Sequence, residues 1–246
     1  MKSTERHKLK ENEFARTVTH AREVVEARKR DIGLMATVVA ILIAVVAGYL
    51  WWQQSRNSTA AEGLAAAMAI HEAPVVPIPA PAPGSPLPVQ QPGTFPTERA
   101  KLEAALPKFV EAADRYPNTV SGVAARFQAA SILATLGRYP EAEQRYQEVI
   151  DKAGNSIYRR TARLGLADVQ VAQGKYDSAI NIYTEMSREA NSQIPIDSVL
   201  MQLGRAYARA GRKEEAAGAF NRIVNEFPES FYTADARREL DLVKKS

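Results

Sequence analysis

Polarity along the chain changes its period twice. From Ile32 to Trp52 run 21 residues, IGLMATVVAILIAVVAGYLWW, without one charged side chain. A helix of that length rises roughly 30 Å, the thickness of a bilayer's hydrocarbon core, so the run predicts a single transmembrane helix over 32–52. It closes on Tyr49, Trp51 and Trp52, residue types that settle at a membrane interface. Upstream, residues 4–31 lack Gly and Pro and space Leu9, Phe14, Val18, Ala21 and Val25 three to five apart. That stripe predicts a basic amphipathic helix within segment 1–31. Downstream, TAAEGLAAAMAIHEA over 59–73 has good helix composition and predicts a helical extension across 53–73.

Helical spacing then stops. Pro74 to Pro96 holds nine prolines among 23 residues. Proline supplies no amide donor and fixes φ, so 74–96 reads as an extended linker. A spacer is favoured over a ligand for a proline-binding module, because no basic residue flanks the prolines to orient a groove.

From Thr97 to the C-terminus the helical period returns and the sequence repeats. Gly137, Gly174 and Gly211 are each 37 residues apart. Five residues after each comes Ala142, Ala179 or Ala216. Four further on stands Tyr146, Tyr183 or Phe220, then Val149, Met186 or Ile223 three later. A fixed period of this length signals stacked helical hairpins. Gly ends each first helix where a left-handed residue is needed, Ala lets the second helix pack closely, and the aromatic fills the gap between hairpins. Pro140 falls in the first turn of a helix, where no amide donor is missed. Full repeats are expected at about 123–156, 160–193 and 197–230, with a capping helix at 232–245. Ala105, Phe109, Ala112 and Pro117 fit the second helix of an earlier, partial repeat at 97–119. Its first helix is either missing or supplied by residues 59–73, with the proline segment as an inserted loop. Pro107 is expected to kink or divide the helix from Glu98 to Arg115.

The order Leu203-Gly204, Tyr207, Gly211, Ala216, Phe220, Pro228 resembles a tetratricopeptide repeat, with Ala130 and Ala167 standing where Gly204 does. The expected fold is therefore all-α: one transmembrane helix followed by an α-solenoid of tetratricopeptide-repeat hairpins. The tail motif Leu9-Lys10-Glu11-Asn12-Glu13-Phe14, the anchor ending and the repeats together resemble the ancillary subunit of the bacterial Sec translocon. The resemblance implies an inner-membrane protein with periplasmic repeats that associates with the translocon and with a membrane-anchored prolyl isomerase. RYPNT and EFPESFYTADA also resemble envelope repeat proteins of outer-membrane assembly and cell division.

Charge adds an orientation. Residues 1–31 hold nine Lys or Arg, whereas Gln53 to Glu98 hold only Arg56. The positive-inside rule leaves the N-terminus in the cytoplasm and the repeats in the periplasm. A cleaved signal peptide fits less well, since the basic segment is long, the apolar run exceeds the usual length and no clean A-x-A site follows. Beyond residue 31 there are 23 basic and 22 acidic residues, which gives a nucleic-acid surface no electrostatic support. With no Cys, a lipid-modified cysteine, disulfides and thiolate metal sites are excluded.

Candidate chemistry is sparse. Beyond the anchor the chain has one His, His71, and no H-E-x-x-H, G-x-S-x-G or phosphate-binding loop, so no catalytic, cofactor-binding or metal residue is assigned and no cofactor is expected. Glu141, Glu143, Glu148 and Asp151 stand near Arg145 and Lys152 at spacings suited to solvated ion pairs. Function should be binding. First helices line the inner face of stacked hairpins, which makes Phe127, Ser131, Leu164, Asp168, Met201, Arg205 and Arg209 the candidate groove. The expected partners are the lipid bilayer, translocon subunits, a membrane-anchored prolyl isomerase or emerging polypeptides, with self-association through the ends of the stack also open. The groove lacks the Lys and Asn positions of carboxylate-clamp repeats, so chaperone tails are not the expected ligand.

Overall fold

The structure, a computed structural model, describes residues 29–78, 89–189 and 193–245. The amphipathic helix expected over 4–31 falls almost wholly outside the described residues, as does the middle of the proline segment. Among the described residues there are nine helices and no strand beyond an isolated bridge between Val75 and Phe95. The chain divides into two units, Met1–Ser55 and Arg56–Ser246.

The described part of the first unit belongs to helix α1 (Lys29–His71). Large apolar residues from Leu34 to Trp52, including Ile41, Val45 and Leu50, are exposed. Among the described residues this window has no buried position, and α1 is the one helix there that is long and apolar enough to cross a membrane. The Thr37 hydroxyl donates to the Gly33 carbonyl at 2.8 Å, the local bond that keeps a polar group satisfied within an apolar helix.

The second unit begins in α1 at Arg56. Ala60 and Ala67 are buried, and Leu64, Met68 and Ile70 pack on the apolar cluster of the first repeats. Gly63 of α1 faces α2 (Glu98–Arg115), where an added Cβ would make ordinary contact with the Ala112 methyl at 3.6 Å. The His71 ring stands edge-on to Phe109, centroids 5.9 Å apart. Residues 59–71 thus supply the first helix of the first hairpin, and the proline segment is a loop inserted within it. Its ends are closed by backbone bonds from Val76 N to Phe95 O at 2.8 Å and from Phe95 N to Pro74 O at 3.0 Å. Of the two arrangements open from the sequence, this is the one with residues 59–71 as the first helix, and the two ends of the proline segment are held together.

Helix α2 is capped by Thr97, whose hydroxyl accepts from Ala100 N at 3.1 Å. It runs from Glu98 to Arg115 without division at Pro107. Leu102, Ala105, Leu106, Phe109 and Ala112 are buried on both sides of the proline, and that packing holds the halves in register.

The remaining helices are α3 (Val120–Thr135), α4 (Tyr139–Lys152), α5 (Ile157–Ala172), α6 (Tyr176–Met186), α7 (Ile196–Arg209), α8 (Lys213–Glu226) and α9 (Thr233–Lys245). Short connections make successive helices antiparallel neighbours. The three periodic glycines all adopt left-handed φ, +77° at Gly137 and +76° at Gly174 and Gly211. Each turn is closed by a bond back across the helix end, such as Arg138 N to Leu133 O at 2.9 Å. A side chain with a Cβ pays a steric penalty in that region, so glycine sets the hairpin angle. Ala142, Ala179 and Ala216 are fully buried, as is Phe220, while Tyr146 and Tyr183 are nearly so.

Candidate functional site

The repeat period aligns the groove residues in columns on α3, α5 and α7. Phe127, Leu164 and Met201 share one position, Ser131, Asp168 and Arg205 the next, and Arg209 stands where α3 has Thr135 and α5 has Ala172. Between these helices the aromatics of the second helices push through. The Tyr146 ring lies on the bare backbone of α5, where a Cβ on Gly165 would come within 2.5 Å of it. Phe127 is half-buried against it and against Tyr158, with ring centroids 5.9 and 6.0 Å away. Burial pushes the Tyr146 phenol above its ordinary range, with a bond to Ser131 working against it.

The same geometry one repeat later places polar groups together. The Tyr183 ring is buried while its hydroxyl donates to Asp168 Oδ1 at 2.5 Å. Burial, then the neighbouring Asp168 charge, drive the Tyr183 phenol far up. Asp168 itself is raised above the usual carboxylate range, chiefly by the protein packed around the carboxyl, while the Tyr183 bond lowers it. The residue as a whole keeps an exposed face, so solvent screens much of this effect. Asp168, Tyr183, Gln202, Arg205 and Arg209 line a pocket of about 160 Å³ with Val171 and Ala206 as its apolar wall. Arg205 is tied to the capping helix through Glu239, Nε to Oε1 3.2 Å. Arg209 is exposed and carries no ion pair among the described residues.

Three of the seven groove residues, Asp168, Arg205 and Arg209, therefore meet in one pocket. Phe127, Ser131 and Leu164 are half-buried. Met201 is corrected: it is only 1% exposed and packs in the cluster that includes Ala236 and Leu240. It is part of the core of the stack and is not free to touch a partner. Tyr183 and Gln202 are the pocket residues that sequence reasoning missed. Tyr183 reads as packing because its ring is packing, and only the reach of its hydroxyl makes it polar lining. Gln202 stands 37 residues after Gly165, a position outside the repeat signature, so the sequence carries no signal for it.

Asp168→Asn tests the electrostatics. Because the folded-state pKa is raised, the ionised carboxylate costs stability above that pKa, and the cost vanishes once pH falls below the unfolded value. The variant is expected to melt at the same temperature as the native protein or slightly higher at pH 7, with the difference closing in acid. A clear loss of stability at pH 7 would contradict this assignment.

Among the described residues no group of three or more His, Asp or Glu converges as a metal site. The molecule so described is an α-solenoid with an open, mixed-polarity groove on its first helices, the architecture of a binding scaffold. The chain belongs to the tetratricopeptide repeat-like domain family, whose description matches residues 30–240. No curated protein matches it. Among solved structures, a set of nearly identical TPR-like repeats from Podosopora anserina is 16% identical, with a TM-score of 0.51 over 59% of this chain and 78% of that one. A tetratricopeptide repeat protein from Parabacteroides merdae is 17% identical, with a TM-score of 0.49 over 60% and 56% of the two chains. The first of these likenesses, at such low identity, shows the fold alone.

Proposed function

We propose that this protein is a non-catalytic, single-pass scaffold of the bacterial inner membrane. Its N-terminus lies in the cytoplasm and its repeats in the periplasm, beside the Sec translocon, where the groove captures an emerging polypeptide or a chaperone. The observation that carries this reading is the uncovered apolar surface of α1 from Leu34 to Trp52, on the same unbroken helix whose last turns belong to the first repeat. Supporting it are the nine basic residues before the span, the single Arg56 after it, and the anchor and tail motifs shared with the ancillary translocon subunit.

The test is photocrosslinking in cells from positions 164 and 209, both accessible in the groove, combined with a topology reporter fused after Ser246. Crosslinks to translocon subunits, a membrane-anchored prolyl isomerase or nascent secretory chains are expected, with the reporter active only outside the cytoplasm. Crosslinks confined to outer-membrane assembly or division proteins would move the protein to an envelope adaptor role. A cytosolic reporter would end the reading altogether.

A further inference from the structure

The repeat period carries one apolar column that the groove does not use. Val120, Ile157, Ile194 and Phe231 are each 37 residues apart, at the turns where the second helix of one hairpin hands on to the first helix of the next. Ile194 is buried, but Val120 is 77% exposed, Ile157 42% and Phe231 fully so, with Tyr232 beside it at 37%. Among the described residues from Glu98 onward, Leu242 is the one other large apolar side chain left exposed. Solitary exposed apolar residues need no explanation, but a column of them along one edge does.

The chain joins the repeat unit at this same edge. Thr59, three residues after the unit begins at Arg56, borders a groove with Arg115 and Tyr116. The Tyr116 carbonyl in turn accepts from Thr119 N at 3.2 Å and from its hydroxyl at 3.0 Å, directly before Val120. Cations with long stems flank the column: Arg115, Lys152, Arg159 and Arg188 are exposed. The carboxylates that adjoin Arg115 and Lys152 in the sequence are engaged elsewhere, Asp114 by Arg126 and Arg145 and Asp151 by Gln147. Apolar tips with snorkelling cations around them fit a lipid interface better than a dry protein core.

We propose that the edge bearing Val120, Ile157, Phe231 and Tyr232 inserts shallowly into the lipid headgroup region of the membrane that anchors the chain. The inference rests on the membrane anchor put forward above. A covalent tether keeps the edge at high effective concentration near the bilayer, so a few shallow contacts suffice to hold it there. Glu229, next to Phe231 in the turn, keeps that end of the column at the polar surface. With the edge laid on lipid, the groove on the first helices stays open to one side rather than facing the bilayer.

The absence of Cys makes the test direct. Single variants Val120→Cys, Ile157→Cys and Phe231→Cys of the full chain are labelled with an environment-sensitive fluorophore and reconstituted in phosphatidylethanolamine–phosphatidylglycerol vesicles containing shallow or deep spin-labelled lipid quenchers. Thr135→Cys, at the opposite edge, is the exposed control and Val45→Cys marks the anchor. The expected result is blue-shifted emission and shallow quenching at 120, 157 and 231, deep quenching at 45, and neither at 135. Water-like emission at the three edge positions, with position 45 quenched, would overturn the edge and leave the anchor standing. Blue-shifted emission without lipid quenching would show a second copy covering the edge and overturn lipid as its occupant. Failure of quenching at 45 would remove the anchor and this inference with it.

Discussion

Phe220→Ala is expected to lower the stability of the repeat unit by about 3–5 kcal/mol, the range for deleting a fully buried aromatic. The ring is 0% exposed and lies directly on α7, where a Cβ on Gly204 would come within 2.4 Å of it. Domains of this kind hold only about 5–15 kcal/mol in total, so the loss is large. In a stack each hairpin leans on its neighbours, so damage should appear first at the end that holds α7 to α9. Amide exchange should therefore quicken there before it does in α2 to α4. Gly204→Ala alone should also destabilise, by about 1–3 kcal/mol, because it overpacks the same contact. Combined with Phe220→Ala it should cost much less, since the methyl then enters vacated space, and a double-mutant cycle in urea reads that coupling. Additive effects, or a loss under about 1 kcal/mol for Phe220→Ala, would show that the ring does not lock the hairpin.

That contact marks how far the sequence could be read. The glycines at 137, 174 and 211 are legible because one physical requirement, a left-handed residue, admits one residue type, and the spacing repeats the demand. Gly204 was legible on other grounds: it is helical, and its place beside Leu203 in the repeat signature marks where the Phe220 ring comes close. Gly165 was not: it lies outside the repeat signature, and its need comes from Tyr146 in the preceding hairpin, a contact between repeats that no local pattern encodes. Met201 failed for a related reason. The sequence placed it on the first helix of its repeat, but how deeply a position on that helix is buried depends on how the neighbouring helices pack. The proline segment showed the limit of composition. Nine prolines argue against packed structure, yet whether such a segment separates two parts or leaves and re-enters one hairpin is decided at its ends, by Val76 and Phe95.

Glu148 was read as one of several solvated partners of Arg145, and the structure gives it a second and buried partner. Its Oε2 lies 3.0 Å from Arg126 Nε and 3.1 Å from Arg145, with the Arg126 side chain only 3% exposed. Arg126 NH2 also donates to the Ala113 carbonyl at 2.9 Å and lies 3.4 Å from Asp114. The cluster therefore ties α2, which carries Ala113 and Asp114, to α3 and α4, and so joins the loop-bearing first hairpin to the first full repeat. Removing Glu148 leaves a buried guanidinium with only the half-exposed Asp114 for a counter-charge. Glu148→Ala is accordingly expected to cost about 3 kcal/mol, the low end for a broken buried pair because Glu148 is itself partly in water. Arg126→Met should behave differently: it removes the charge that must be desolvated and keeps the volume, so its cost should stay within about 1 kcal/mol. The double variant should then resemble Arg126→Met rather than the sum of the two. Urea titrations of the three variants decide between ionic and steric roles for the cluster. If Arg126→Met proved as damaging as Glu148→Ala, the hydrogen bond to Ala113, and not the charge balance, would be what holds the first hairpin in the stack.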